Sequence, residues 1–288
     1  MRSIAALSST QIGILKFLGE ANKITAVSLP NSIYDTKLAK KASDGAVVGV
    51  GHAQSLDFEK IVELSPDLVM VAAFMNITDQ EQKLMDAGLT VGYNIEWMES
   101  SPLARAEWVK FIAAFFNKEI KAQELFEGVD HRYLALKEQV KGVSERPSIL
   151  SGSNFKGIWY MPGGQSYLAQ LLRDGGADYC WFQDSTRGSI PLSFEVVFEK
   201  QRDADIWFGP AQSRSLKEVI DMDERYGLFK SFKQGNVYTY TKRMLPSGAN
   251  DWWESGVMHP DLVFKDVIKI LHPQLLPDHE LFYYKRLK

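Results

Sequence analysis

Leu56-Asp57-Phe58-Glu59-Lys60-Ile61-Val62-Glu63-Leu64-Ser65-Pro66-Asp67-Leu68-Val69 and Leu192-Ser193-Phe194-Glu195-Val196-Val197-Phe198-Glu199-Lys200-Gln201-Arg202-Asp203-Ala204-Asp205-Ile206-Trp207 are two statements of one pattern. Each opens on Leu-x-Phe-Glu with an apolar residue two positions on (Ile61, Val197), runs for one helix, and ends at an acidic residue that begins an apolar strand. The register slips by two residues between helix and strand, so the echo is structural rather than a copied sequence. It predicts two similar lobes, each with a glutamate at the start of an equivalent helix. Asp57 and Ser193 read as N-caps. A first-turn glutamate gains about 0.3–1 kcal/mol from the helix macrodipole even without a partner.

Outward from this pattern the chain alternates strands and helices. Ile4 to Leu7 is a short apolar strand, and Ile12, Ile14, Leu15 and Leu18 at helical spacing lead to Gly19. Ile24 to Val27, Leu68 to Ala72 and Leu89 to Tyr93 are further strands, with a helix over Gln80 to Asp86 ended by Gly88. The second half repeats the logic: a strand over Ser148 to Leu150, a helix over Ser166 to Arg173, a strand over Asp205 to Phe208. Phe229 to Lys233, Gly235 and Val237 to Tyr240 then give helix, glycine and strand. Strands alternating with helices through short loops predict an α/β fold, two Rossmann-like lobes with mainly parallel sheets.

Between the two halves, Ala122, Leu125, Val129, Tyr133, Leu136 and Val140 recur every three or four residues, with charged residues on the other faces. This predicts one long amphipathic helix of roughly 35 Å. Pro147 breaks the helical pattern and starts the second lobe. The expected organisation is an N-terminal lobe over 1–118, a connecting helix over 119–145 and a C-terminal lobe over 146–288. A single helix is stiffer than two or three extended strands, which predicts a modest opening of the lobes.

Composition bounds the function. The 288 residues are 45% hydrophobic and 24% charged with a net charge of −3, a balance without the basic stripe that nucleic acid requires. The longest apolar runs, such as Phe111 to Phe116, fall short of the ~20 residues of a membrane span. A strand-like Ser3-Ile4-Ala5-Ala6-Leu7 comes directly after Met1-Arg2, leaving a cytoplasmic protein or one whose signal was removed. The lone Cys180 has no internal disulfide partner and reads as a buried structural thiol.

Two α/β lobes joined by one helix, with Leu-x-Phe-Glu ahead of Pro-Asp-Leu-Val, resemble the substrate-binding proteins of ABC importers for iron-siderophore, haem and cobalamin. Val48-Gly49-Val50-Gly51, Ser65-Pro66-Asp67-Leu68-Val69 and Trp159-Tyr160-Met161-Pro162-Gly163-Gly164-Gln165-Ser166-Tyr167 carry the resemblance. Ala249-Asn250-Asp251-Trp252-Trp253-Glu254-Ser255-Gly256 and His259-Pro260-Asp261-Leu262-Val263 also resemble members from the Bacteroides group. The resemblance implies that Glu59 and Glu195 dock onto arginines of a permease dimer driven by its ATPase. It implies a monomeric, non-enzymatic protein in the periplasm or on the outer face of the inner membrane, with no cofactor beyond a transported chelate. The chain departs from the family pattern at Arg202-Asp203, which stands where Pro-Asp is usual.

In open α/β sheets ligands gather at the carboxyl ends of the strands. That rule selects Ser9, His52, Phe74 and Trp97 in the first lobe and Trp159, Tyr160, Arg187, Tyr240, Arg243, Asn250, Trp252 and Trp253 in the second, around a cleft. Flat aromatic rings suit a large, partly apolar ligand, and Arg187 or Arg243 suits a carboxylate or catecholate oxygen. Ferric siderophore, cobalamin and haem all meet this description. Adjacent Trp252 and Trp253 do not both fit one core, so one of them is expected at the cleft or its rim. His52 has no neighbouring ligand cluster with metal spacing, and the five histidines are scattered.

Enzyme signatures are weak. Gly49-Val50-Gly51-His52-Ala53-Gln54 lacks the third glycine of a dinucleotide fingerprint, and Gly164-Gln165-Ser166-Tyr167-Leu168 has leucine where a nucleophile elbow needs glycine. The different-class alternative is a cytoplasmic two-lobed α/β enzyme of tetrapyrrole or metal-chelate metabolism.

Overall fold

The computed structural model describes residues 1–52, 55–72 and 77–288. The chain forms two compact units. Unit 1 comprises Met1–Glu96, Ala106–Gly128 and Met244–His259; unit 2 comprises Trp97–Arg105, Val129–Arg243 and Pro260–Lys288.

Unit 1 alternates β1 (Ile4–Ala6), α1 (Ser9–Leu18), β2 (Ile24–Val27), α2 (Thr36–Ser43), β3 (Val48–Gly49), α3 (Phe58–Leu64), β4 (Leu68–Ala72), α4 (Asp79–Asp86) and β5 (Val91–Asn94). The strands lie in the order β3-β2-β1-β4-β5, all neighbours parallel. Side chains alternate across a strand, so both faces of this sheet need apolar cover. Ile4, Ala6, Leu68 and Met70 face one core with Ile14, Leu15 and Leu18 of α1. Ala5, Leu7, Val69 and Val71 face the other with Ile61 of α3 and Leu84 of α4. This alternation explains why β1 and β4 read as continuous apolar runs.

Two further helices are α5 (Pro102–Ala114) and α6 (Glu119–Val140), the latter on the stretch where the periodicity predicts it. Residues 119–128 of α6 belong to unit 1 and the remainder to unit 2.

Unit 2 contains β6 (Ile149–Ser151), β7 (Asn154–Phe155), β8 (Ile158–Pro162), α7 (Tyr167–Asp174), β9 (Ser189–Leu192), α8 (Phe194–Gln201), β10 (Ile206–Phe208), α9 (Leu216–Met222), α10 (Lys230–Lys233) and β11 (Val237–Thr239). The chain then places α11 (Asp251–Glu254) back in unit 1 and ends in unit 2 with α12 (Pro260–Leu271) and β12 (Lys285–Arg286). One sheet has the order β12-β11-β10-β6, parallel except for β12. A second, antiparallel sheet, β7-β8-β9, was not anticipated. Its hairpin turns at Lys156-Gly157, both with positive φ (52° and 89°), the pairing that a two-residue type I′ turn demands.

The acidic residue at each echoed strand start has a physical role common to both units. Asp67 accepts from the Ser3 amide at 3.0 Å while its own amide donates to Ser3 Oγ at 3.0 Å. Asp205 accepts from the Ser148 amide at 2.9 Å while its amide donates to Ser148 Oγ at 3.1 Å. Each aspartate thus fastens the start of one parallel strand to the start of its neighbour, β1 to β4 and β6 to β10.

The core of unit 2 is aromatic. Trp159 stacks on Trp207 (5.9 Å between ring centroids) and meets Tyr226 and Phe229 edge-on. Both indole N–H groups are satisfied by backbone carbonyls, Trp159 by Ser151 and Trp207 by Gly152, each at 2.8 Å. The C-terminal tail is held by the fully buried Asp266 of α12, which accepts from the amides of Phe282, Tyr283 and Tyr284 and lies 2.7 Å from His279 Nε2. Cys180 is exposed, contrary to the buried thiol expected of it, because it comes after Tyr179 at a turn where the tyrosine takes the inward place.

Candidate functional site

The carboxyl ends of β1, β2 and β4 open into a hollow of about 380 Å³ in unit 1, bordered by Ser8, Ser9, Ser28, Ser32, His52 and Ala72. Its floor is dictated by the local sequence. β1 ends at Ala6, and Ser8 takes an extended conformation (φ −139°, ψ 147°) as N-cap of α1, closing a capping box with Gln11. Ser28, one residue past β2, donates its hydroxyl to the Leu7 carbonyl at 2.6 Å and ties the two strand ends together. The first turn of α1 carries no acidic residue, so the helix presents its positive end at the rim undiminished. Hydroxyls, one exposed imidazole and a helix N-terminus suit the acceptor oxygens of an anionic or chelated ligand.

Ser9 and His52 are therefore brought together in one hollow. Phe74 lies outside the described residues. Sequence reading missed Ser28 and Ser32, yet Ser28 is the first residue past β2, and the carboxyl-end rule that selected Ser9 applies to it equally.

α11 supports this hollow from behind. Gly13 of α1 packs so closely on it that a Cβ there would lie 1.5 Å from the Glu254 carbonyl oxygen. The Glu254 carboxylate is buried and accepts from the amides of Tyr34 (2.7 Å) and Asp35 (3.0 Å). Burial raises its pKa above the ordinary value against the pull of those amides and of Lys16. Lys16 pairs with Asp35 at 2.7 Å.

Three residues expected on a ligand surface serve the fold instead. Trp159 is fully buried because strand alternation on β8 sends it inward and its neighbour Tyr160 outward. Asn250 is buried as N-cap of α11, its Oδ1 accepting from the Trp252 amide at 3.0 Å. Trp252 is 8% exposed, while Trp253 is half-buried, since consecutive helical residues point in different directions.

The remaining candidates are accessible. Tyr160 (46% exposed) sits on β8 opposite Pro191 of β9. Tyr240 lies just past the carboxyl end of β11, half-buried and edge-on to Tyr284, and burial pushes its phenol up to about 12, with Tyr167 adding to the effect. The Arg105 guanidinium lies 4.0 Å over the Tyr167 ring, a contact the sequence did not suggest. Arg243 stacks over Phe282 at 4.4 Å. Arg187 is exposed in the loop before β9, and Trp97 is half-buried. Among the described residues no group of three or more His, Cys, Asp or Glu side chains is placed to hold a metal ion.

Glu59 and Glu195 occupy equivalent places, each exposed in the first turn of its helix behind a capping residue. Asp57 accepts from the Lys60 amide at 3.1 Å and Ser193 from the Val196 amide at 3.4 Å. The Glu195 carboxyl is held below its ordinary pKa by its own backbone amide, the Ser193 hydroxyl and Arg225, whose Nη1 stands 3.5 Å away.

Residues 4–244 match the family described as periplasmic binding protein. The chain belongs to that family. An uncharacterised lipoprotein of Methanocaldococcus jannaschii is 26% identical over 280 residues, covering 94% of this chain and 65% of the relative. This periplasmic binding protein thus spans less than two thirds of that relative's length. Among solved structures, a periplasmic haem-binding protein of Pseudomonas aeruginosa aligns with a TM-score of 0.72 at 14% identity, over 95% of this chain and 93% of the other. A Staphylococcus epidermidis protein described as a possible iron-binding, periplasmic solute-binding protein gives 0.67 at 18%, over 93% and 98%. A periplasmic vitamin B12 binding protein of Vibrio cholerae gives 0.63 at 14%, over 93% and 96%. At these identities the likeness is one of fold. No helix among the described residues is long and apolar enough to cross a membrane.

Proposed function

We propose that this periplasmic binding protein is the substrate-binding component of an ABC importer, carrying a ferric siderophore or related metal chelate to a permease dimer driven by its ATPase. The observation that carries the reading is the hollow at the carboxyl ends of β1, β2 and β4, where Ser9 and His52 meet the N-terminus of α1. Tyr160, Arg187, Tyr240 and Arg243 are the proposed contributors of unit 2. Their aromatic and guanidinium groups suit a ligand that is apolar in bulk and anionic at its edge. Haem and cobalamin are the alternative cargoes, favoured by fold neighbours that bind haem and vitamin B12. The relative named as a lipoprotein supports a place on the outer face of the inner membrane. Recognition rather than catalysis is the function.

Glu59 and Glu195 are the proposed docking acids. The test is uptake of labelled cargo by cells carrying the Glu59→Ala, Glu195→Ala double variant. Uptake is expected to fall to background while the purified variant keeps its full thermal stabilisation by cargo; uptake at the unaltered level removes the docking role.

A further inference from the structure

Arg202 and Asp203 border a second hollow, of about 440 Å³, in unit 2. It lies at the amino ends of the parallel strands: Arg202 and Asp203 stand just before β10, and Lys233 and Gln234 just before β11. Tyr240 lies past the opposite, carboxyl end of β11, and none of the proposed cargo residues lines this hollow. Its rim holds the cations Arg202, Lys230 and Lys233 against the single carboxylate Asp203. Its wall is apolar. Phe198 is fixed there by stacking on Phe194 (5.7 Å, 11°) and by an edge contact with Phe229, and Leu228 is 50% exposed.

The cations are differently committed. Lys230 is bonded to Asp205 at 2.7 Å, which raises its pKa through that hydrogen bond. The Arg202 guanidinium pairs with its exposed sequence neighbour Asp203, Nε to Oδ2 at 3.3 Å, with side chains 61% and 84% exposed. Such a pair is readily exchanged for a better anion. Lys233 stands exposed in the last turn of α10. Basic residues at the ends of α8 and α10 suit each helix dipole separately. The dipoles do not account for their convergence, in a chain of net charge −3, on a hollow walled by an aromatic ring and an exposed leucine.

We propose that this hollow is a binding site for a doubly charged organic anion, a phosphate or paired carboxylate on an apolar body, with Arg202 and Lys233 gripping the charge and Phe198 and Leu228 covering the body. A soluble metabolite of this chemistry and the headgroup of an anionic lipid both fit. The site is independent of the cargo reading.

The probe is naphthyl phosphate, monitored by its fluorescence anisotropy on titration with the intact protein, beside inorganic phosphate and naphthol as competitors. Saturable binding that weakens with added salt is expected, with naphthol not competing and inorganic phosphate competing weakly. Lys233→Gln is expected to weaken binding about tenfold, the loss of one charge-assisted contact. Arg202→Glu with Lys233→Glu is expected to abolish it, and Leu228→Asp to weaken it, each with the thermal unfolding temperature of the parent. Arg202→Gln stands in for any charge reversal that fails to fold. Added vesicles of phosphatidylcholine and phosphatidic acid that displace the probe assign a lipid headgroup, and vesicles that leave it bound assign a soluble anion. Absence of saturation, or binding undiminished in the folded double variant, overturns the site. Chelate titrations run on the same variants keep a failure here distinct from a failure of the cargo reading.

Discussion

Replacing Gly13 with alanine inverts the usual effect of that substitution. In an ordinary helix interior Gly→Ala gains about 1 kcal/mol. Here the new Cβ lies 1.5 Å from the Glu254 carbonyl oxygen, about 1.9 Å short of the 3.4 Å at which ordinary contact begins. The obstacle is backbone, so no rotamer change relieves it; α11 must move as a body. Overpacking of this kind costs about 1–3 kcal/mol. The movement also pulls the buried Glu254 carboxylate off the amides of Tyr34 and Asp35, a further loss of about 1.5–3 kcal/mol. Against the helix gain, the net expectation is destabilisation by about 1.5–5 kcal/mol. Because the chain has two units, a single unfolding curve mixes their transitions. Hydrogen exchange read by mass spectrometry is the suitable assay, with the amides of Leu7 and Val69, bonded to Met70 and Thr90, as reporters of unit 1. Faster exchange there, with the amides of β6 and β10 unchanged, is expected. Exchange as slow as in the parent, or slower, refutes the close approach of α1 and α11.

The same geometry gives other expected outcomes. Trp159→Ala removes the centre of the aromatic core of unit 2 and is expected to destabilise by about 3–5 kcal/mol, whereas Tyr160→Ala, one residue along and outward, is expected within about 0.5 kcal/mol of the parent; urea melts monitored by near-ultraviolet circular dichroism separate the two. Asp205 is depressed below its ordinary value: burial opposes the shift, and the Lys230 ammonium and the Ser148 donors outweigh it. Its contribution is full above the unfolded value of 3.8 and is lost as pH falls through the lower folded value. Solvent screening keeps that contribution near ~1 kcal/mol, and acid melts of Asp205→Asn are expected to show a shallower decline of unit 2 stability across that window.

The mainly parallel character of the two larger sheets was legible because period and punctuation report the alternation of strand and helix. Apolar runs at Ile4 and Leu68 need cover on both faces, and glycines close the intervening helices. The echoed acids were visible as a pattern, but their work was not. That Asp67 grips Ser3 and Asp205 grips Ser148 depends on strands joined across more than fifty residues. Which of Trp159 and Tyr160 points inward was hidden for a simpler reason: Ile158-Trp159-Tyr160-Met161 is apolar throughout, so the sequence carries no contrast between faces. Asn250 and Trp252 were misplaced because a four-residue helix was not foreseen, and its return to unit 1 after a long excursion has no local signature. Of the hollow at β1 and β2, Ser9 and His52 were selected by the carboxyl-end rule alone.

The central claim is that the protein binds a metal chelate, and titration of the purified protein with ferric siderophores, haemin and cobalamin tests it most directly, read by thermal shift and by absorbance of the chelate. A ligand bound only by the native state must raise its stability. The expected result is saturable stabilisation by one class, with a spectral change, that is reduced in a His52→Ala, Tyr240→Ala variant. No stabilisation by any of the three classes contradicts the claim.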